Sequence, residues 1–272
     1  MLQWSMRPEV KNASREDPPS PYSSGTDMDD YLQKIWNSEI TKRRLDAAYH
    51  SKIAAFLYEG AASGFGGHVD EFSEVSLLGQ TIEGIRDNIY IFSAAKQYQQ
   101  VRIMSYLINE KGVRSSFSEF KKKAKVVFEE FNVNYLKTEY QTAVQSSIMA
   151  RDWVQFETEK EWFPVLQYKT QEDARVRPEH AILDNIIRPV GDGFWDYAMP
   201  PNGWNCRCFV ISLKEGEVSD VPPVNWGDKD FPTVFKMNPG KDKMIFKPDH
   251  PYVDVAKGDK GFKKKNFGML IP

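Results

Sequence analysis

At 272 residues the chain holds material for one large domain or two modest ones, with enough apolar side chains for a real core. Hydrophobic residues make up 41% and charged residues 27%, a globular balance that excludes a disordered or fibrous chain. The net charge of −2 supplies no global basic field for nucleic acid, and no run approaches the roughly 20 apolar residues of a membrane span.

The first stretch, MLQWSMRPEV, lacks the basic start and apolar core of a secretion signal. Residues 1–26 are rich in Pro, Ser and charge, and bury too little apolar surface to offset ordering, which predicts a mobile leader. From Met28 the pattern turns helical: Met28, Tyr31, Leu32, Ile35 and Trp36, then Leu45, Ala48, Tyr49, Ile53, Phe56 and Leu57. Gly60 opens a glycine-rich stretch, GAASGFGGHVD. A phosphate-cradling loop needs a preceding strand and a Lys-Ser/Thr or GxGxxG spacing, and neither is there. A plain interhelical loop is the expectation.

A second helical pattern covers about 80–109, with Ile82, Ile85, Ile89 and Phe92 on one face. Ser116 and Glu119 make an S-x-x-E capping box for a third. Its stripe, Phe117, Phe120, Ala124, Val127, Phe128, Phe131 and Tyr135, reads as core. The basic run Lys121–Lys125 opens this helix against the macrodipole preference. It is either a solvated face or a contact for nucleic acid or an acidic partner. Helical character persists through Tyr140–Trp153.

After Glu161 the grammar changes. WFPVLQY (162–168) and CRCFVISL (206–213) alternate like strands, and Pro and Gly become frequent. The predicted fold class is therefore α+β, with a boundary near Arg151. A helical region (27–150) precedes a small loop-rich unit with short strands (151–216), followed by an extended, loop-rich segment (217–272). The last 32 residues carry eight Lys against four Asp, a local +4, suited to an acidic surface or simply to solvent.

Special chemistry concentrates in Lys169–Val210, which holds both cysteines, one of four histidines and two of seven tryptophans. Pro178 fits the first turn of a short helix, where a missing N–H costs nothing. In that helix His180 and Asp184 stand four apart on one face. Cys206 and Cys208 follow a turn built from Pro200, Pro201, Asn202 and Gly203. Two thiolates and an imidazole suit zinc, and Asp184 or His250 would complete a tetrahedron. The spacing argues the other way. Zinc knuckles favour C-x₂₋₄-C, whereas C-x-C in a strand sends one sulfur to the core and one to the surface. That geometry also makes a disulfide poor, which points to a reducing compartment. The competing reading is a structural histidine beside buried cysteines.

The same residue types also match a Cys–His nucleophile pair with an orienting carboxylate. A zinc deaminase would need H-x-E and P-C-x-x-C, and here Glu179 precedes His180 and the cysteines are one residue too close. No residue is assigned a catalytic role. Arg175, Arg177 and Arg207, with Glu172, Asp173, Glu179, Asp184 and Asp192, read as an ion-pair network pinning loops. Trp195 and Trp204 supply apolar area where regular elements are few, and Asn185 fits a left-handed turn.

In their order and spacing these pieces resemble a family. Tyr135–Leu213 is similar to the phage Mu F-like head morphogenesis (minor head, or minor capsid) proteins of tailed phages and prophages. The likeness is carried by TEYQTAVQSSIMARDW (138–153), LQYKT with Asp173 following, VRPEHAILD, GDGFWD and PPNGWNCRC. Its motif positions here are Arg177, Pro178, Glu179, Leu183, Phe194, Trp195, Pro200, Pro201, Asn202, Gly203, Trp204 and Arg207, beside His180, Asp184, Cys206 and Cys208. FKMNPGKD (235–242) and KPDHPY (247–252) look like downstream family segments. Asn185 stands where the family commonly has Gly, and Asp192-Gly193 where an acid and Pro often precede Phe-Trp.

The resemblance implies a virion component assembled in the bacterial host cytoplasm, present in few copies near the portal. Its expected partners are the portal protein and the major capsid or scaffold protein, with phage DNA a further candidate. No membrane and no small-molecule substrate is implied, and no well-established catalytic activity. Two rivals remain: a metal- or Cys/His-dependent hydrolase of head maturation or DNA entry, and a DNA-contacting ejection protein. The hydrolase predicts His180, Cys206 and Cys208 at an open pocket; the structural reading predicts them closed off. Zinc is the one cofactor in question.

Overall fold

The computed structural model describes residues 18–22, 25–227 and 231–272. Long helices come first: α1 (Gly25–Trp36), α2 (Ala47–Phe65), α3 (Leu77–Ile108), α4 (Phe117–Glu129) and α5 (Leu136–Glu159). A small sheet follows, of β1 (Val165–Lys169), β2 (Ile187–Pro189) and β3 (Phe209–Leu213), with the short helices α6 (Pro178–Ala181) and α7 (Trp195–Ala198) between its strands. Short helical turns, among them α8 (Pro239–Asp242) and α9 (Lys260–Lys263), punctuate the tail. The architecture is α+β, helical first.

Local chemistry sets the helix ends. Asp46 and Ser76 accept the backbone N–H of Tyr49 and Gly79 and so start α2 and α3. The Ser116–Glu119 box forms at the head of α4, with both reciprocal hydrogen bonds made. Phe120, Ala124 and Phe128 of the predicted stripe are buried. Between α4 and α5 the chain does not break but widens into a π-helical turn over Glu130–Tyr135. Asn132 inside it is buried, its amide donating to Phe128 O and its oxygen accepting from the Tyr49 hydroxyl at 2.7 Å.

The glycine-rich stretch is not a loop at its start. Gly60 and Gly64 lie inside α2, which ends only at Gly66 in the left-handed conformation. A Cβ on Gly64 would sit 2.2 Å from Val144 O, and one on Gly60 would sit 2.8 Å from the Tyr140 ring. Glycine here lets α2 and α5 press backbone to backbone; it is a close-packing device, not a helix break.

The boundary expected near Arg151 falls within unbroken α5. That helix gives Leu136, Ala143 and Ala150 to the helical core, and Met149, Trp153 and Phe156 to a second core around the sheet. Of the expected leader, residues 1–17 and 23–24 lie outside the described residues. Within residues 18–22 the chain is anchored at two points: Ser20 Oγ donates to Asn132 O (2.5 Å) and buried Tyr22 donates to Tyr49 O (3.0 Å), while Pro18 and Pro19 are exposed.

The sheet is antiparallel in the order β2-β1-β3, with Leu166 opposite both Arg188 and Ser212. The tail, expected to lie extended, folds back on the helices. Asn88 pins it through Ile245 N, Phe246 N and Phe246 O, and Phe246 stacks on Phe92 at 3.7 Å. Asp259 is buried and accepts from Lys42 (2.8 Å), Arg43 (2.7 Å) and Tyr98 (2.8 Å).

Candidate functional site

The site is assembled on the central strand. Tyr168 of β1 is buried, and its hydroxyl donates to Asn202 Oδ1 (2.7 Å), tying the sheet to the Pro-rich turn. The Pro200–Pro201 peptide in that turn is cis, and Pro200, Pro201, Asn202 and Gly203 are all buried. Beyond β1 the loop closes on Asp184, whose Oδ1 accepts from Thr170 N (2.7 Å) and Thr170 Oγ1 (3.1 Å). Lys169 lies 3.7 Å from the same carboxylate. Asp184 is thereby a clamp on the loop ends, and it stands outside the cluster in which sequence spacing places it.

Pro178 opens α6 at its first turn, after Arg177 in extended conformation. The turn carries His180 inward, 2% exposed, where its ring stacks on Phe231 with centroids 4.8 Å apart. Leu183 fills the core behind it, and Asn185 at φ 66° turns the chain into β2.

The cysteines arrive from the opposite side. Cys206 N donates to Gly203 O (3.1 Å), and Asn205 adopts φ 58°, so the chain is still turning where the alternation predicts an extended strand. β3 starts only at Phe209. Freed from the alternation of a strand, both side chains point inward, 6% and 4% exposed. Neither sulfur faces the surface, as the strand reading requires of one of them. Gln145 of α5 holds the turn by donating to Cys208 O (3.0 Å).

His180 Nδ1 lies 3.5 Å from Cys206 Sγ and 3.7 Å from Cys208 Sγ, and the three donor atoms all fall within 4.8 Å of one another. Among the described residues no other group of three His, Cys, Asp or Glu has this compactness. The Cys208 thiol and the His180 imidazole beside Cys206 pull its pKa well below an ordinary thiol, while the Cys206 sulfur and burial push Cys208 up. A cleft of about 270 Å³ reaches all three residues, rimmed by Gln171, Arg175, Val176, Arg177, Asn205 and Arg207. The cluster is buried by its own packing yet touched by a cleft, a combination that neither reading of the sequence specifies.

Arg207 and Arg188 anchor ion pairs of this region among the described residues. Arg207 grips Asp173 with two hydrogen bonds (2.7 and 2.8 Å), which hold that carboxyl well below the usual range. Arg175 approaches the same acid at 3.6 Å. Arg177 donates to Trp204 O (2.6 Å), and Asp192 pairs with Arg188, a partner outside the expected network. Trp195 is fully buried, with Nε1 donating to Pro189 O (3.0 Å), and Phe194 packs edge-on against it. Half-buried Trp204 meets Phe235 and His250 edge-on. His250 sits among Phe92 and Tyr252 in the helical core, away from the cysteines. Glu179 is half-buried on α6. The contacts of Thr170, Gln145 and Phe231 escape a sequence reading, because nothing in their spacing announces partners 14 to 63 residues away.

Residues 94–211, from within α3 to within β3, match the model of the family described as Phage Mu protein F like protein. A relative from Escherichia phage Mu, named as a capsid assembly protein F, is 36% identical over 86 residues, 32% of this chain and 20% of that protein. The Mu-like prophage FluMu F protein of Haemophilus influenzae is 38% identical over 52 residues, 19% of this chain and 13% of that protein. The shared stretches thus span a fifth or less of these relatives' lengths. No solved structure matches the chain.

Proposed function

We propose that this chain, whose residues 94–211 belong to the phage Mu F-like family, is a minor head protein that acts in capsid assembly beside the portal, without catalysis of its own. One observation carries the reading: the likeness to a relative named for capsid assembly. Burial of at least half of the motif residues supports it. Phe194 and Trp195 pack the second core, Asn202 bonds to Tyr168 and Met199, and Pro200, Pro201 and Gly203 are buried around it. Their role is to shape a rigid body, which suits a part that docks. The chain would reach the virion through contacts with the portal and the major capsid or scaffold protein. No helix among the described residues is long and apolar enough to cross a membrane.

The test is a nonsense mutation in the phage gene, combined with purification of a tagged chain from infected cells. The yield of DNA-filled heads should collapse without the chain, and the tagged chain should retain the portal protein. Normal heads with no such association would overturn the reading.

The cleft against Cys206 and Cys208 favours a second reading, a metal- or Cys/His-dependent hydrolase of head maturation or DNA entry. It predicts that Cys206→Ser stops particle maturation while leaving the chain incorporated. The DNA-contact reading fares less well on the helix, because Lys121, Lys123 and Lys125 each face an acid, Asp29, Glu110 and Glu129.

A further inference from the structure

Zinc bonds of about 2.3 Å to sulfur and 2.0–2.1 Å to nitrogen, at tetrahedral angles, place the two donor atoms about 3.6 Å apart. The distances from His180 Nδ1 to the two sulfurs, 3.5 and 3.7 Å, bracket that value. We propose that His180 Nδ1, Cys206 Sγ and Cys208 Sγ hold a zinc ion whose fourth position faces the cleft between Arg175 and Arg207. The site would bind metal wherever the chain sits in a particle and does not depend on the assembly role.

Three features of the fold support it. First, Nδ1 has one in-plane lone pair or one hydrogen, and it faces two sulfurs at nearly equal range. A two-centre hydrogen bond engages one of them, whereas a cation at the centre engages both. Second, the backbone departs from an extended path to bring the sulfurs together. Asn205 sits at φ 58° and Cys206 N bonds back to Gly203 O, which undoes the divergence that C-x-C has in a strand. Third, each donor is held from outside. Phe231 stacks on the imidazole, Gln145 fixes the carbonyl of Cys208, and Arg207, between the cysteines, is locked onto Asp173. Such supporting contacts are what orients metal ligands.

The cleft touches all three ligand residues, so the fourth donor is a light atom, a water or other oxygen arriving from that side. Binding converts two thiols to thiolates: two Zn–S bonds form, two S–H bonds break, and the protons pass to solvent. The imidazole binds through Nδ1 as a neutral ring, its proton on Nε2.

The experiment uses the full chain, stripped with a chelator under reducing conditions and titrated with zinc or cobalt alone. About one metal should bind per chain, and cobalt should develop the absorption of thiolate-to-metal charge transfer. X-ray absorption on the zinc form should give two sulfur and two lighter donors. Cys206→Ser and His180→Ala should lower affinity by at least about tenfold, the lower end for losing a supporting group, let alone a ligand. Asp184→Asn should leave the stoichiometry unchanged, because that carboxylate serves Thr170. A chain that stays metal-free at saturating zinc overturns the proposal, as does a shell of four sulfurs or of nitrogen and oxygen alone. X-ray absorption on the wild type needs no variant to fold, so the test does not hang on the substitutions.

Discussion

His250 accepts the Tyr252 backbone N–H at Nδ1 (3.1 Å), so its ring is neutral with the proton on Nε2. Burial, and then the Lys96 ammonium, lower its pKa from 6.5 to about 4. A histidine that stays neutral in the fold but charges in the unfolded chain makes stability fall as pH drops from about 6.5 to about 4. The loss across that window is on the order of 3 kcal/mol. The melting temperature should therefore fall with acidification through this range, and a His250→Gln variant should show a flatter profile. His50, also lowered by burial, keeps part of the slope. A second residue-scale prediction concerns Lys96 and Glu139, both fully buried, bonded at 2.7 Å and surrounded by Phe131, Tyr135 and Tyr252. Lys96→Met alone should cost roughly 3–5 kcal/mol by stranding a carboxylate, while Lys96→Met with Glu139→Met should recover much of it. Denaturant melts distinguish the two. At this scale the chemistry of His180 and the two cysteines is legible from residue type, but the side-by-side sulfurs are not. Their placement depends on one left-handed asparagine, which a period-two reading cannot register.

Among the elements, the seam between α2 and α5 makes the sharpest demand on sequence. Gly64→Ala should improve helix propensity yet destabilise the protein, because the added Cβ meets a backbone carbonyl that has no room to give. Overpacking of this kind costs about 1–3 kcal/mol, readable as a lower denaturation midpoint. Helices α3 and α4 are legible because their apolar residues repeat with the helical period over many turns and a capping box marks a start. Gly60 and Gly64 suggest a loop because glycine ordinarily breaks helices, and the reason for glycine here lies on α5, 80 residues later in the chain. Strand β2, Ile187–Pro189, is too short to show alternation and exists through its pairing with β1.

The molecule as a whole is two cores joined by α5 and bound together by the tail. Asp259, reached by Lys42, Arg43 and Tyr98, fastens that tail from more than 150 residues away. The Lys42 hydrogen bond holds its carboxyl below the ordinary range, so the ionic clasp survives as pH falls past the usual carboxylate pKa and fails only in stronger acid. Asp259→Asn should speed amide exchange over residues 251–272 and expose the tail to limited proteolysis, with the sheet region little changed. No pattern in the tail announces this docking, because its anchors lie on helices far upstream and its own segments are too short for periodicity. The motif segment, by contrast, is legible from order and spacing alone, and the family match covers it.

The most direct test of the account is quantitative mass spectrometry of phage heads purified before tail attachment. The assembly role predicts this chain in those heads, in few copies and in fixed proportion to the portal protein. Complete heads that lack the chain, while it accumulates free in the lysate, would contradict it.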